Sequence, residues 1–218
     1  MLAMTFKTEP YSTSTQHLPF DGQHIIAHQT DTQLVVYQAY NPAIARFAVE
    51  NQFLGGSAFN YGRMSWIKPN FLWMMFRCGW ASKENQERVL ALWLPKAAFE
   101  EILRQAVFST FTAGIYDSSD TWKQELASKE VRLQWDPDHS PYGGKLARRA
   151  MQLGLKGEVL EKFGKHQVTL IEDVTDFVRQ QKTHVDSRQL ELLQIPQERV
   201  WALSDSALAQ RVGVTSTP

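Results

Sequence analysis

The chain has 218 residues, 43% of them hydrophobic and 11% aromatic, which suits one sizeable core and argues against wholesale disorder. Lys+Arg and Asp+Glu number 23 each, so the formal net charge is zero and the basic excess of a general nucleic-acid coat protein is missing, while a local basic patch stays open. A single cysteine, Cys78, excludes an internal disulfide and any multi-cysteine metal centre.

The first stretch, "MLAMTFKTEPYSTSTQHLPF", has no apolar leader region and no small-residue cleavage site. No window approaches the ~18 apolar residues that cross a bilayer. The expectation is a cytoplasmic, reducing compartment with no membrane contact. Residues 1–22 are polar and read as an irregular arm, residues 23–208 as one α+β domain, and residues 209–218 as a loose tail.

Within the domain, "QLVVYQAY" (33–40) has the β-branched and aromatic density of a strand. Asn41 can cap a following helix, Pro42 suits its first turn and Gly55-Gly56 stop it. Next comes "RMSWIKPNFLWMMFRCGW" (63–80), three tryptophans and two phenylalanines among two arginines and a lysine. "RVLALWLP" (88–95) is a strand, and "KAAFEEILRQAVF" (96–108) an amphipathic helix. Residues 109–128 are polar, with a short helix near Trp122. "EVRLQWDPD" (130–138) is a strand until Pro137 interrupts it, and "SPYGG" is a turn. Within residues 145–164, Arg149 to Leu155 read as a strand or the start of a helix and Gly157 to Phe163 as helix. "HQVTLIEDVTDFVRQQK" starts as a strand and turns helical after Asp173, and "RVWAL" (199–203) is a last short strand. The order predicts an α+β fold, a mixed sheet with flanking helices, rather than a βαβ array.

Phosphate loops, nucleophile elbows and zinc-protease motifs are absent. His24 and His28 are four apart, but no Cys or acidic partner adjoins them, and no metal is expected. Three polar-in-apolar clusters stand out. Gln38, Tyr40 and Asn41 close the first strand, where a buried amide needs a partner or a ligand. Arg63, Ser65, Trp66, Lys68 and Arg77 combine cations with rings, a pairing that clamps phosphates while stacking a base. Gln134 and Asp136 share one side of a strand, placing an amide beside a carboxylate, with Arg148 and Arg149 available for a phosphate or an ion pair. The residues leave open whether these groups bind ligand or only brace the fold.

Taken together, "VYQAYNPAIARFAVENQFLGG", "FNYGRMSWIKPNFLWMMFRCGWA", "VRLQWDPDH" and "RRAMQLGL" resemble a large uncharacterised domain-of-unknown-function family of bacteria and fungi. More distantly, the "VYQAY" strand, the helix ending at "FLGG", Ser65 and the "VLALWLP" strand resemble the ADP-ribosyltransferase fold. That resemblance implies NAD as substrate and an acceptor that is a protein, a nucleic acid or a small molecule. It places Gln38 and Tyr40 where the fold often has His and Thr, and Ser65 or Trp66 at the middle motif. Asp136 is the nearest acidic candidate for the catalytic carboxylate, with Gln134 beside it and Glu158 and Glu172 behind. Arg63, Lys68, Arg77 or Arg149 would hold the pyrophosphate, while Tyr40 or Trp66 stacks on nicotinamide. The alternative is a non-enzymatic module that binds a nucleotide or RNA through the same wall. Either way, segment 59–80 and loop 134–149 are expected to face each other across one cleft.

Overall fold

The computed structural model describes residues 5–215. The stretch expected to be irregular forms β1 (Thr8–Pro10) and α1 (Tyr11–His17), so that expectation is corrected. β1 gains order from a distant partner, β10 (Gln194–Pro196), and β2 (Ile26–His28) likewise pairs with β11 (Glu198–Val200). The tail is not loose up to Thr215: α8 (Ser206–Arg211) leads to Thr215, whose backbone N–H donates to the Gln23 carbonyl at 2.9 Å.

β3 (Gln33–Tyr40) is buried along most of its length and pairs antiparallel with β5 (Arg88–Pro95), which pairs with β9 (Leu170–Asp173). α2 (Pro42–Asn51) follows β3, with the Asn41 side chain accepting from the Ile44 N–H at 3.0 Å. A second sheet has the order β4 (Ser65–Ile67), β8 (Lys145–Leu155), β7 (Val131–His139) and β6 (Ala106–Phe108). β6 runs parallel to β7 and the other pairs are antiparallel. The two sheets meet where Tyr37 and Lys68 exchange backbone hydrogen bonds of 2.7 and 3.0 Å.

The remaining helices are α3 (Phe71–Cys78), α4 (Lys96–Arg104), α5 (Ser119–Ser128), α6 (Gly157–Lys162) with a π turn behind it, and α7 (Thr175–Asp186). The helix expected over 96–108 ends at Arg104, because Ala106–Phe108 join β7 instead. Pro137 does not end its strand. β6 reaches only Val131–Leu133, so further along β7 has a free edge on that side, where a missing N–H costs nothing.

Strand alternation divides the core. Leu34, Val36, Tyr40, Ile67, Leu133 and Leu153 pack on one side of the sheets. Val35, Tyr37 and Ala39 pack on the other, beneath α3 and α7. The result is one α+β domain with mixed sheets. No helix among the described residues is long and apolar enough to cross a membrane.

Candidate functional site

The aromatic run becomes β4, a two-residue link and α3. Asn70 caps α3 by accepting from the Trp73 N–H at 2.7 Å, and Glu198 of β11 accepts from the Phe71 N–H at 2.8 Å. The helix is thereby folded back over Lys68, leaving that side chain 1% exposed. Trp66 pairs with Gly154 and Ile67 with Leu153, so the next step along β4 puts Lys68 beside Gln152, which faces Gln134. Paired residues share a face, and so do alternate residues of one strand. Lys68, Gln152, Gln134 and Asp136 therefore form one polar patch.

The Asp136 carboxylate is half-buried and held at both oxygens. Gln134 Nε2 donates to Oδ1 at 3.0 Å and Gln152 Nε2 to Oδ2 at 2.7 Å. Burial pushes its pKa up, against these hydrogen bonds and the attraction of Lys68 and Arg149. Lys68 Nζ donates to the Trp66 carbonyl at 3.0 Å. Burial above all, and then Arg77, lower its pKa to about 7, while Cys78 and Asp136 pull the other way. At neutral pH the Lys68 amine is thus near half-protonation, on the same sheet face as the fixed carboxylate. Gln152 escaped the sequence reading because residues 149–155 were ambiguous between strand and helix.

Gln38, Tyr40 and Ser65 lie elsewhere. The Tyr40 hydroxyl is 2.8 Å from Ser65 Oγ, to which Gln38 Nε2 donates at 3.3 Å. Tyr40 packs in the core on the side opposite Tyr37, and Ser65 alternates with Trp66, so this triad faces away from the Asp136 patch. Burial holds the Tyr40 hydroxyl far above the usual phenol range. The half-buried Gln38 amide has found its partner in Ser65, and Asn41 is a helix cap.

Arg63, Arg77 and Arg149 are exposed, and none has a carboxylate partner among the described residues. Arg149 is close enough to favour the charged form of Asp136, and Arg77 to disfavour that of Lys68. Trp66 is half-buried against Gly154, where a Cβ would meet its ring at 3.0 Å. Arg148 is committed to a buried ion pair with Asp138, Nε to Oδ2 at 2.6 Å. Glu172 accepts from Trp93 Nε1 at 2.7 Å, and Glu158 sits in the first turn of α6. His28 bonds the Gln197 carbonyl, and no metal-ligating cluster occurs among the described residues. Cys78 is buried, its thiol pushed up by burial.

Parts of the two expected walls share one cleft, but none of the expected site residues lines it. Met75, Phe76, Gly79 and Trp80 on one side and Ser140, Pro141, Tyr142 and Gly143 on the other line a cleft of about 460 Å³. Lys68 and Asp136 are not among its lining residues, so the polar patch is not part of the cleft's wall.

These features define an α+β domain with a carboxylate–lysine patch on one sheet face. Domain of unknown function DUF4291 matches residues 24–201, and the chain belongs to that family. No curated protein matches the chain.

Proposed function

We propose that the protein is an ADP-ribosyltransferase-like enzyme that cleaves NAD at the bond between nicotinamide and ribose. The observation that carries this reading is the Asp136 carboxylate, half-buried and fixed at both oxygens by Gln134 and Gln152. As the C1′–N bond breaks, nicotinamide leaves with the bonding electrons and positive charge develops on the ribose. A preorganised carboxylate stabilises that charge without having to reorient. The acceptor's nucleophile then bonds to C1′ and its proton passes to Asp136. Arg77 and Arg149, free of carboxylate partners among the described residues, suit the pyrophosphate, and the half-buried Trp66 ring offers a stacking face. The Gln38–Tyr40–Ser65 triad braces the opposite face of the sheets, where β3 and β4 meet, rather than touching NAD.

Nicotinamide release from labelled NAD, measured with and without cell extract as acceptor, tests the reading. Asp136→Asn should remove most turnover while changing ADP-ribose affinity by less than about threefold, since the charge matters as the bond breaks. The side chain keeps its shape, and either glutamine can turn its amide to meet the new NH₂. If wild-type protein releases no nicotinamide under any acceptor condition, the enzyme reading is lost.

A further inference from the structure

At its C-terminal end α3 meets the β7–β8 turn, and between them and the end of α7 runs the cleft of about 460 Å³. That volume falls within the range of small-ligand sites. Two of its rings are unusually open for their size: Phe76 is 40% exposed and Tyr142 54%. Phe76 is not loose. Its ring lies on His139 with centroids 3.6 Å apart and planes 10° apart, and Trp73 is stacked on His139 at an interplanar angle of 11°. Trp73 and His139 are themselves buried, so the stack fixes the plane of the one ring it presents. A flat partner arriving there would order little that is not already ordered.

Cations surround the rings. Lys182 and Arg188 line the cleft, and Lys83 Nζ stands 5.8 Å from the Phe76 centroid. Asp186 pairs with Lys182, whereas Arg188 has no carboxylate partner among the described residues. A wholly apolar ligand would leave these charges unused, and a bare phosphate would leave the rings unused. A base joined to a phosphate uses both. Lys83, outside the lining, gives the phosphate of a neighbouring nucleotide somewhere to go.

We propose that this cleft seats one nucleotide unit of a single-stranded nucleic acid, its base against Phe76 and Tyr142 and its phosphate toward Arg188. The site stands apart from Asp136, and the proposal holds whether or not the protein cleaves NAD.

Fluorescence anisotropy with a labelled eight-nucleotide single-stranded RNA tests it directly, with AMP and ribose 5-phosphate as unlabelled competitors. Phe76→Ala should weaken RNA binding roughly five- to hundredfold, the range that stacking on one ring supports. Phe76→Trp should restore it, which separates lost stacking from a damaged fold. Tyr142→Ala, at an exposed position, should weaken binding in the same direction. Arg188→Ala should lower affinity and reduce the slope of log affinity against log salt by about one. Competition by AMP but not by ribose 5-phosphate supports the base-stacking site and shows that a free nucleotide also enters. Failure of both competitors, with the Phe76 dependence intact, shows that a strand is required. No saturable RNA binding, Phe76→Ala binding like wild type, or equal competition by both small molecules would each overturn the proposal. Nicotinamide release without added acceptor should be unchanged in Phe76→Ala, so this failure and that of the NAD reading can be told apart.

Discussion

The Lys68 amine is almost wholly removed from water. Its amine titrates at about 7 in the fold against 10.5 ordinarily, because burial outweighs the nearby Asp136. Between those pH values the unfolded chain binds a proton that the folded chain does not. The contribution of Lys68 to stability is therefore most favourable above about pH 10.5, declines as the pH falls toward 7, and is constant below. Lys68→Met removes this penalty, although Asp136 loses a favourable neighbour and takes back part of the gain. We expect the variant to be more stable at pH 7 by about 1–4 kcal/mol. The wild-type-minus-variant difference should shrink as the pH is raised toward 10.5. Denaturant melts at several pH values check this, and a difference that stays flat would show that the amine remains charged in the fold. A side chain that lowers stability while sitting beside a fixed carboxylate fits a site shaped for chemistry rather than for packing.

The carboxylate half of this patch was legible in sequence, since Gln134 and Asp136 alternate on a recognisable strand. Lys68 was legible as a cation in an apolar run, but not its burial, which depends on α3 folding back under the hold of Asn70 and Glu198. The placing of Gln38, Tyr40 and Ser65 near the same ligand did not follow from the residues. β3 is buried on both faces, so alternation marks two sides without saying which of them meets the site.

Among the elements, periodicity located most strands and helices, and local pattern failed where pairing decided. Ala106–Phe108 continues a helical pattern in sequence but is recruited by β7, and Lys145–Leu155 becomes the longest strand because β4 and β7 flank it. Gly154 sits where those three strands meet. A Cβ there would lie 2.7 Å from Met64 Sδ and 3.0 Å from two ring atoms of Trp66. Gly154→Ala should displace the indole and cost about 1–3 kcal/mol, the usual range for overpacking. Near-ultraviolet circular dichroism would report the moved tryptophan and a denaturant melt the lost stability. An unchanged melt would mean that Met64 and Trp66 yield freely and that the contact does not fix β4 on β8.

At the scale of the whole molecule, the single-domain α+β character was readable because strand and helix patterns alternate irregularly along one chain. The order of the segments around residues 8–28 was not. β1 and β2 find their partners at Gln194–Pro196 and Glu198–Val200, and Arg199 forms an ion pair with Glu9 across 190 positions of sequence. No local pattern can announce a pairing of that span.

Those distant pairings set a timetable. On the ribosome, Thr8–Pro10 and Ile26–His28 emerge early, yet their partner strands are made some 170 residues later, after every other strand of the domain. The β7–β8 hairpin, closed by a five-residue turn, pays little loop entropy and can form at once, whereas the β1 and β2 pairings wait for a long closure. In refolding with pulsed hydrogen exchange, the amides of Val131–Leu155 should be protected before those of Ile26–His28, and simultaneous protection would contradict this order. Until Glu198 arrives to accept from the Phe71 N–H, α3 lacks one of its two N-terminal anchors. The helix that covers Lys68 is thus secured only once β11 has been made, so the patch takes its final form after the strands that carry it.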